Sequence, residues 1–370
     1  MSYRTDTRLA ELCAVLFASL RRADQRTRGE EYLRGLLTTP GRKSIRNIAA
    51  AGGGTATEQS LHHFVSDSTW DWRPVRRTLT GYVAARSHPQ AWVLRPMVIP
   101  KAGNQSVGVG RRFDPVLGQT LNAQQAVGVW VAAEGVSSPV NWRLHLSQAW
   151  LTDRGRRGRA AIPDEVEPET IGDCAVAAYL EMAGQLELPL VLDARELGSL
   201  ATVDRLLTAG TRFLARIDST VRLAAADAVL PGHGADTVPA HWLMGAAKDL
   251  RRPVAWSAHG SPRTALAAAV RVVLPGAAGD LLLLGASDIG ESWPAELWLT
   301  TMTAPAAALL RLSKLVLRVD RDFTEIADQV GIRDFSGRSF GGWHRHSTLA
   351  SAAHAVVAMA AEPGRLRHAS

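Results

Sequence analysis

The sequence predicts an α/β protein with a mixed sheet flanked by helices, and two observations carry that prediction. An apolar run at 188–194 contains Asp193 near its end, and a helical pattern at 199–209 and an apolar strand pattern at 213–217 follow it. A strand, a helix and another strand in this order are typical of a βαβ unit, whose strands are parallel. Between residues 91 and 146, strand patterns follow one another across short turns, which is typical of an antiparallel meander.

The amino-acid composition limits the classes of protein to which the chain can belong. The chain has 370 residues, of which 46% are hydrophobic and 21% charged, and these values are typical of globular proteins rather than disordered ones. The net charge of +7 and the pI near 10.0 indicate an acidic partner, with nucleic acid ahead of a membrane surface. Nearly all of the cations are arginines, which suit phosphate contacts, although a GC-rich genome gives the same bias.

The cysteines and the apolar runs indicate a cytoplasmic protein. Cys13 and Cys174 are far apart and neither has a metal-binding spacing, so we expect two reduced, buried thiols. The first eight residues are polar and lack the apolar segment of a signal peptide. No run approaches the 18 or so apolar residues of a membrane span.

The first part of the chain predicts short helices. Leu9, Leu12, Leu16 and Leu20 fall at helical spacing, and a basic stretch at 42–46 follows a second helical pattern. Short helices with basic and aromatic residues, before any strand pattern, favour a DNA-contacting domain. The alternative is a helical cap whose tryptophans lie in the core, and for Trp70 and Trp72 we expect core packing.

The remaining elements are predicted in order. Strands are expected at 91–94, 106–110, 126–132 and 142–146, and a helix at 170–186 precedes the apolar run. Many short apolar runs and turn residues at 220–304 indicate a strand-rich insertion, and helices are expected at 305–328 and 339–361. We therefore divide the chain into an N-terminal helical domain (1–88), a first core part (89–219), the insertion (220–304) and C-terminal core helices (305–370).

Several stretches between residues 10 and 358 carry a resemblance that covers nearly the whole chain. They are YLRGLL at 32–37, RKSI at 42–45, QSLHHFV at 59–65, WDW at 70–72, SVGV at 106–109 with Arg111, WLTD at 150–153, IPDEV at 162–166 and GRSFGGWHRH at 337–346. In this order they resemble the DDE-type transposases of bacterial insertion sequences, in the branch whose RNase-H-like core is interrupted by a strand-rich insertion. The resemblance implies an RNase-H-like mixed sheet, double-stranded DNA as the partner and a homo-oligomer, without a membrane or a small-molecule substrate.

The resemblance also implies a chemistry. In these enzymes three carboxylates converge on two divalent ions, which activate a nucleophile for in-line attack on a phosphodiester. Mg²⁺, the usual ion, requires oxygen ligands in near-octahedral geometry. The first Asp closes the first core strand, the second Asp closes a later strand, and a Glu lies on a C-terminal helix.

This chain matches only part of that pattern. Asp193 stands at the second position, but the first position falls on Arg95, and no acid lies between Asp71 and Asp114. The third position falls on Asp320, one methylene shorter than Glu. A guanidinium cannot ligate a cation and would repel one, so we expect Arg95 to form an ion pair with Asp193 where a metal would lie.

The sequence therefore predicts a transposase-like DNA-binding protein that has lost catalysis and the metal cofactor, acting as a nucleoid-associated regulator or accessory factor. The cations expected on the DNA-binding surface are Arg42, Lys43, Arg46, Arg76, Arg77, Lys101, Arg111, Arg112, Arg338 and Arg345. One alternative is an active transposase, with Mg²⁺ at Asp193, Asp320 and an unrecognised third acid. Another is a protein-interaction scaffold that ignores DNA. We expect His344 and His346 to contact phosphate or to cap the final helix, and GGG at 52–54 to be a loop without the Lys of a phosphate loop.

Overall fold

The structure is a computed structural model that describes residues 3–51, 56–114, 118–227, 230, 237–258, 261–277 and 279–365. The GGG stretch at 52–54 and the PGHG stretch at 231–234 lie outside the described residues. The N-terminal region is helical, as predicted. Its helices are α1 (Tyr3–Leu16), α2 (Ala23–Thr38), α3 (Ile45–Ala51), α4 (Glu58–His62), a π-helical turn (His63–Asp67) and α5 (Trp72–Ser87).

The core strands and their helices follow. They are β1 (Ala91–Pro100), β2 (Gly110–Asp114), β3 (Gln119–Ala132), β4 (Ser137–His145), α6 (Gln148–Thr152), α7 (Arg154–Arg159), α8 (Ile171–Ala183), β5 (Leu190–Asp193), a 3-10 turn (Ala194–Leu197), α9 (Ser199–Thr208) and β6 (Phe213–Arg216). Helix α8 begins at a capping box, in which Thr170 and Asp173 bind each other's backbone N–H groups. The βαβ unit β5–α9–β6 is present as predicted.

The rest of the chain is strand-rich and then helical. It contains β7 (Arg222–Ala225), β8 (Val238–Pro239), α10 (Ala240–Ala246), β9 (Arg252–Ala258), β10 (Ser261–Val273), β11 (Asp280–Asp288), β12 (Glu296–Thr300), α11 (Ala306–Ile326) and α12 (Phe340–Arg365). This order confirms the predicted strand-rich insertion between β6 and the C-terminal helices.

Strand β1 lies between antiparallel and parallel neighbours in a mixed sheet. It runs antiparallel to β3 on one side and parallel to β5 on the other, and β5 is parallel to β6. The other side of β3 pairs with β2 and β4. The predicted α/β fold with an RNase-H-like mixed sheet flanked by helices is therefore confirmed.

The insertion shares this sheet. Its last strand, β12, runs antiparallel to β6, and β11 and β10 continue outward from it. The sheet thus continues from the core strands into the insertion without a break in the hydrogen bonding. The predicted boundary at residue 220 lies between β6 and β7, which belong to the same sheet.

One predicted strand is wrong. The alternating valines at 106–110 predicted a strand, but the chain turns there and β2 begins only at Gly110. Gly108 adopts a φ of +77°, in the left-handed region where a side chain is strained. Val107 and Val109 are nevertheless buried. The alternation of valine and glycine therefore reflects two buried side chains in a turn, and it does not indicate extended backbone.

The N-terminal helices pack against the C-terminal one. Helices α1, α2 and α5 all contact α12, and α5 also contacts β4. Trp70 lies in this core as predicted, whereas Trp72 is half-buried and stacks on the His344 ring at 4.7 Å. Both cysteines are free and buried, as expected. Within the described ranges, no helix has the length and apolar character needed to cross a membrane.

Candidate functional site

The three positions expected to hold carboxylates lie together at one end of the sheet. In the parallel pairing of β1 with β5, Leu94 lies opposite Leu192, so the next residues, Arg95 and Asp193, follow at the same level. Helix α11 packs over both strands and brings Asp320 to the same place. The fold therefore assembles the three positions that the sequence singled out.

Arg95 forms its ion pair with Asp320. Its Nε donates a hydrogen bond to Asp320 Oδ1 at 2.8 Å, and its guanidinium stacks on the Phe323 ring at 3.7 Å. Asp320 and Phe323 are three residues apart and so share a face of α11. Burial lowers the pKa of the Arg95 guanidinium, while Asp320 raises it. The guanidinium remains the cation at the first ligand position.

The expected ion pair between Arg95 and Asp193 is wrong. Asp193 Oδ1 accepts hydrogen bonds from the backbone N of Arg195 at 3.1 Å and from its Nε at 2.9 Å, and Oδ2 accepts one from Nη2 at 2.6 Å. The reason is local: Asp193 caps the 3-10 turn that follows β5, which folds Arg195 back over it. Gly198, at φ +82°, ends that turn before α9.

Further cations extend this network. Arg216 lies directly across from Asp193 on β6, with its Nη1 at 4.0 Å from Asp193 Oδ2. Its Nη2 lies at 3.5 Å from Glu296 Oε1, and the Lys314 Nζ lies at 3.2 Å from Glu296 Oε2. Asp193 and Asp320, the two acids at ligand positions, thus each have an arginine partner.

The sequence did not single out Glu196, which lies beside this site. Its pKa is raised, first by burial and then by the charges of Asp193 and Asp320, while Arg95 and Arg195 lower it. These effects place Glu196 within electrostatic reach of both acids. It lies in the 3-10 turn three residues after Asp193, and no periodic pattern marks such a turn in the sequence. Among the residues that the structure describes, no group of three or more His, Cys, Asp or Glu is placed to hold a metal ion.

The ten cations expected on a DNA-binding surface differ in how far their side chains are exposed. The exposed ones are Arg42, Arg46, Arg77, Arg111 and Arg338. Arg112 and Lys101 are half-buried. The Lys101 Nζ donates to the backbone oxygen of Phe335 at 2.6 Å, and burial lowers the pKa of this amine to about 8, with a further contribution from Arg42.

For Lys43, Arg76 and Arg345, the expected surface location is corrected, because all three side chains are buried. The Arg76 Nη1 donates to Asn141 Oδ1 at 2.6 Å and to the Trp142 oxygen at 2.7 Å. Its other two nitrogens bind side chains and backbone of α12. These contacts turn Arg76 inward, where it joins α5, β4 and α12.

The other two buried cations also bind backbone oxygens. Arg345 donates to Trp70 at 3.1 Å and to Val65 at 3.0 Å, and the Lys43 Nζ donates to Thr39. These side chains hold loops and helix ends of the N-terminal region. The basic motifs at 42–45 and 337–346 are therefore partly structural.

The expected roles of His344 and His346 are corrected: both lie past the first turn of α12, and both rings are buried, which leaves neither of them open to a phosphate or at the helix cap. His346 Nε2 lies 2.8 Å from the Gly331 oxygen, which can only accept, so Nε2 carries the proton. Nδ1 then accepts from the Tyr32 hydroxyl at 2.8 Å. Burial lowers the pKa of His346 to about 4 and that of His344 well below its usual value.

A basic groove lies along the hairpin of β2 and β3. Arg111, Arg112 and His145 line it, and Phe113 beside them is 67% exposed. Burial lowers the pKa of Arg112. Exposed aromatic rings beside arginines are typical of surfaces that stack the bases of single-stranded nucleic acid.

Comparison with models of known protein families identifies a family for this chain. The family described as DDE superfamily endonuclease matches residues 15–272, which is more than half of the chain. The matched residues include Arg95 and Asp193, whereas Asp320 lies beyond them. A search of curated proteins found no match.

Proposed function

Because the chain belongs to the DDE superfamily of endonucleases, we propose that it is a transposase-like protein that binds double-stranded DNA and no longer cleaves it. It would act as a regulator or accessory factor in the nucleoid. The observation that carries the loss of cleavage is the 2.8 Å hydrogen bond from Arg95 to Asp320. This bond pairs a cation at the first ligand position, Arg95, with the acid at the third, Asp320.

The donor set does not fit two Mg²⁺ ions. Such a pair needs several carboxylate oxygens that face the ions with free lone pairs. Here Asp193 accepts hydrogen bonds at both oxygens from Arg195, and Asp320 accepts one from Arg95. A metal would have to displace both guanidiniums, and Arg95 would still stand where the first ligand belongs.

The charge balance supports the same conclusion. Three acids at the site each have a cation within 4.0 Å: Asp193 has Arg195 and Arg216, Glu296 has Arg216 and Lys314, and Asp320 has Arg95. Two divalent ions would add four positive charges beside these arginines and Lys314. In a partly buried site this repulsion is weakly screened.

The exposed cations support DNA binding. Arg42 and Arg46, on either side of the start of α3, are exposed, and the charge of Arg42 reaches the half-buried Lys101 at the end of β1. Arg111 and Arg112 add a second patch. Clustered arginines neutralise backbone phosphates and release counterions, which favours binding to DNA of any sequence.

The test of DNA binding is a fluorescence anisotropy titration of a labelled duplex across a salt series. We expect log K to fall steeply and linearly with log salt, because each phosphate contact releases counterions. The double substitution Arg42→Ala with Arg46→Ala should weaken binding and flatten the slope. Arg22→Ala is the matched control, since that exposed arginine is already paired with Asp24 at 2.6 Å. A duplex affinity that does not depend on salt would contradict the proposal, and the absence of duplex binding would favour a protein-interaction scaffold.

An active metal-dependent transposase is the second candidate, because Glu196 offers a third acid near Asp193 and Asp320. The decisive assay incubates the protein with terminal DNA of its own element and Mn²⁺ or Mg²⁺. Our proposal expects intact DNA. Metal-dependent nicking that disappears in Asp193→Asn would establish the second candidate instead.

The division into segments 1–88, 89–219, 220–304 and 305–370 remains a proposal about domains, and a homo-oligomer remains a proposal about assembly. Support for the first segment comes from its all-helical content. Light scattering coupled to size exclusion measures the oligomeric state: a mass of twice the 39.8 kDa chain or more supports it, and a monomer mass rejects it.

A further inference from the structure

We infer that a small pocket between α7, the loop after β1 and the start of α12 binds a phosphate group, which in the DNA complex is a phosphate of the duplex backbone. The inference rests on the proposed DNA binding and adds a specific contact site to it. The lining residues are Asn104, Gln105, Trp150, Arg156, Arg159, Ala160 and Arg338. Of these, only Arg338 was expected on the DNA surface.

The pocket concentrates positive charge. Arg156 and Arg159 come from α7, and Arg338 comes from the segment before α12, so three guanidiniums from two parts of the chain face one space. Arg156 has a partial partner, Asp153, whose Oδ2 lies 3.6 Å from its Nε. Among the described residues, Arg159 and Arg338 form no ion pair with a carboxylate, so the pocket keeps a net positive charge.

The nearby acid does not cancel this charge. Asp153 is an exposed residue that caps α7, and its Oδ1 accepts a hydrogen bond from the backbone N of Arg156 at 3.0 Å. That bond is the first cause of its lowered pKa, and the charges of Arg156 and Arg159 contribute further. One carboxylate against three guanidiniums leaves two positive charges in excess, which is more than the single negative charge of a backbone phosphodiester requires.

The backbone around the pocket is held in place. The Phe340 N donates to the Ala160 oxygen at 2.8 Å, which joins the end of α7 to the start of α12. The Trp150 Nε1 donates to the Val109 oxygen at 2.8 Å, which joins α6 to the loop after β1. Trp150 is buried and lines the pocket, with the Arg156 guanidinium 5.4 Å from its ring centre. A site whose segments are already fixed loses little entropy when it binds.

The size of the pocket selects the ligand. Its volume is about 100 Å³. Pockets for drug-sized ligands occupy roughly 300–1,000 Å³. The space thus takes a phosphate group but not a base with its sugar. Arginine forks bind phosphate oxygens in pairs. The amide of Asn104, whose Oδ1 accepts a hydrogen bond from Gln105 Nε2 at 2.9 Å, also lines the pocket and can donate its N–H groups to the remaining oxygens.

The experiment compares the double substitution Arg159→Ala with Arg338→Ala against Arg154→Ala, a matched control on the same helix outside the pocket. Duplex binding is measured by anisotropy across a salt series. We expect the double variant to bind roughly 10-fold more weakly and to lower the slope of log K against log salt by about 1, as the loss of one phosphate contact predicts. The control should keep the wild-type slope.

Two further results separate this inference from the proposed function. In the first result, wild type binds the duplex, and the double variant keeps both the wild-type melting temperature and the wild-type slope. The phosphate site is then rejected while the proposed function stands. If wild type binds no duplex, but inorganic phosphate raises its melting temperature and not that of the double variant, the function is rejected while the phosphate site stands. A double variant with a lowered melting temperature is replaced by Arg338→Gln, for which the same two outcomes decide.

Discussion

At the scale of single residues, the same type of side chain has two different roles in this protein. Arg76 and Arg77 are neighbours on α5, yet the first is buried among neutral hydrogen-bond acceptors and the second is exposed. Sequence alone could not separate them, because a basic pair on a helix looks the same in either orientation. Burial of Arg76 depends on acceptors from β4 and α12, which lie 65 or more residues away.

This difference gives the first prediction. Arg76→Ala leaves several buried acceptors unpaired, and we expect it to lower the free energy of unfolding by about 3–5 kcal/mol. Arg77→Ala should change it by no more than about 0.5 kcal/mol, as is usual for exposed positions. Urea denaturation of both variants measures this. Equal urea midpoints for the two variants would show that the buried hydrogen bonds of Arg76 do not stabilise the contact of α5 with β4 and α12.

Buried histidines give a prediction on pH. Burial lowers the pKa of His346 and His354 to about 4 each, from an ordinary value of 6.5. Above pH 6.5 neither the folded nor the unfolded chain binds the proton; between 6.5 and 4 only the unfolded chain does. Stability should therefore fall as the pH falls through this window, by up to about 1.4 kcal/mol per pH unit for each histidine.

The substitution His354→Gln tests that linkage. Gln retains a donor for the Asp322 oxygen, which lies 3.3 Å from His354 Nε2. We expect the variant to lose less stability than wild type between pH 6.5 and 4, and to show the wild-type pH dependence above pH 7. Urea midpoints measured at several pH values decide; parallel curves throughout the acidic window would contradict the assignment.

At the scale of elements, close packing of α8 against α9 supports the turn that carries Arg195. A Cβ on Gly172 in α8 would lie 2.3 Å from Thr202 Oγ1 and 2.6 Å from the Leu197 oxygen. Thr202 is buried and binds that same oxygen at 2.5 Å. Only glycine therefore permits this contact between the two helices.

The corresponding prediction concerns Gly172→Ala. Alanine improves helix propensity by about 1 kcal/mol, but the overlap with α9 should outweigh this and destabilise the protein by roughly 1–3 kcal/mol in total. Gly81→Ala in α5 is the matched control, since nothing lies within 4 Å of its Cβ position, and it should stabilise. Thermal melts of both variants measure the difference. Stabilisation by both would contradict the packing described.

The elements also show what the sequence could predict. Local periodicity located α8, α9, α11 and α12, because each buries one face or is buried throughout. The βαβ unit followed from an apolar run, a helical pattern and a second run. The partner of Asp193 could not be predicted, because the choice between Arg95 and Arg195 depends on the geometry of a 3-10 turn.

At the scale of the whole molecule, one sheet joins the core to the insertion, and the N-terminal helices close over α12. The pairing of β12 with β6 joins strands separated by about 80 residues, and no pattern in either strand specifies it. Membership in the DDE superfamily, in contrast, was accessible from motifs spread along the chain. The molecule thus keeps the family's fold while its candidate site is filled by its own cations.

Metal binding tests that claim most directly. Mn²⁺ is titrated into wild type, Asp193→Asn and the double variant Arg95→Asp with Asp320→Glu, and free Mn²⁺ is followed by electron paramagnetic resonance. We expect wild type and Asp193→Asn to leave the same free Mn²⁺ signal as buffer, because Arg95 and Arg195 hold the acids. The double variant should bind the ion. Binding by wild type that is lost in Asp193→Asn would contradict the account.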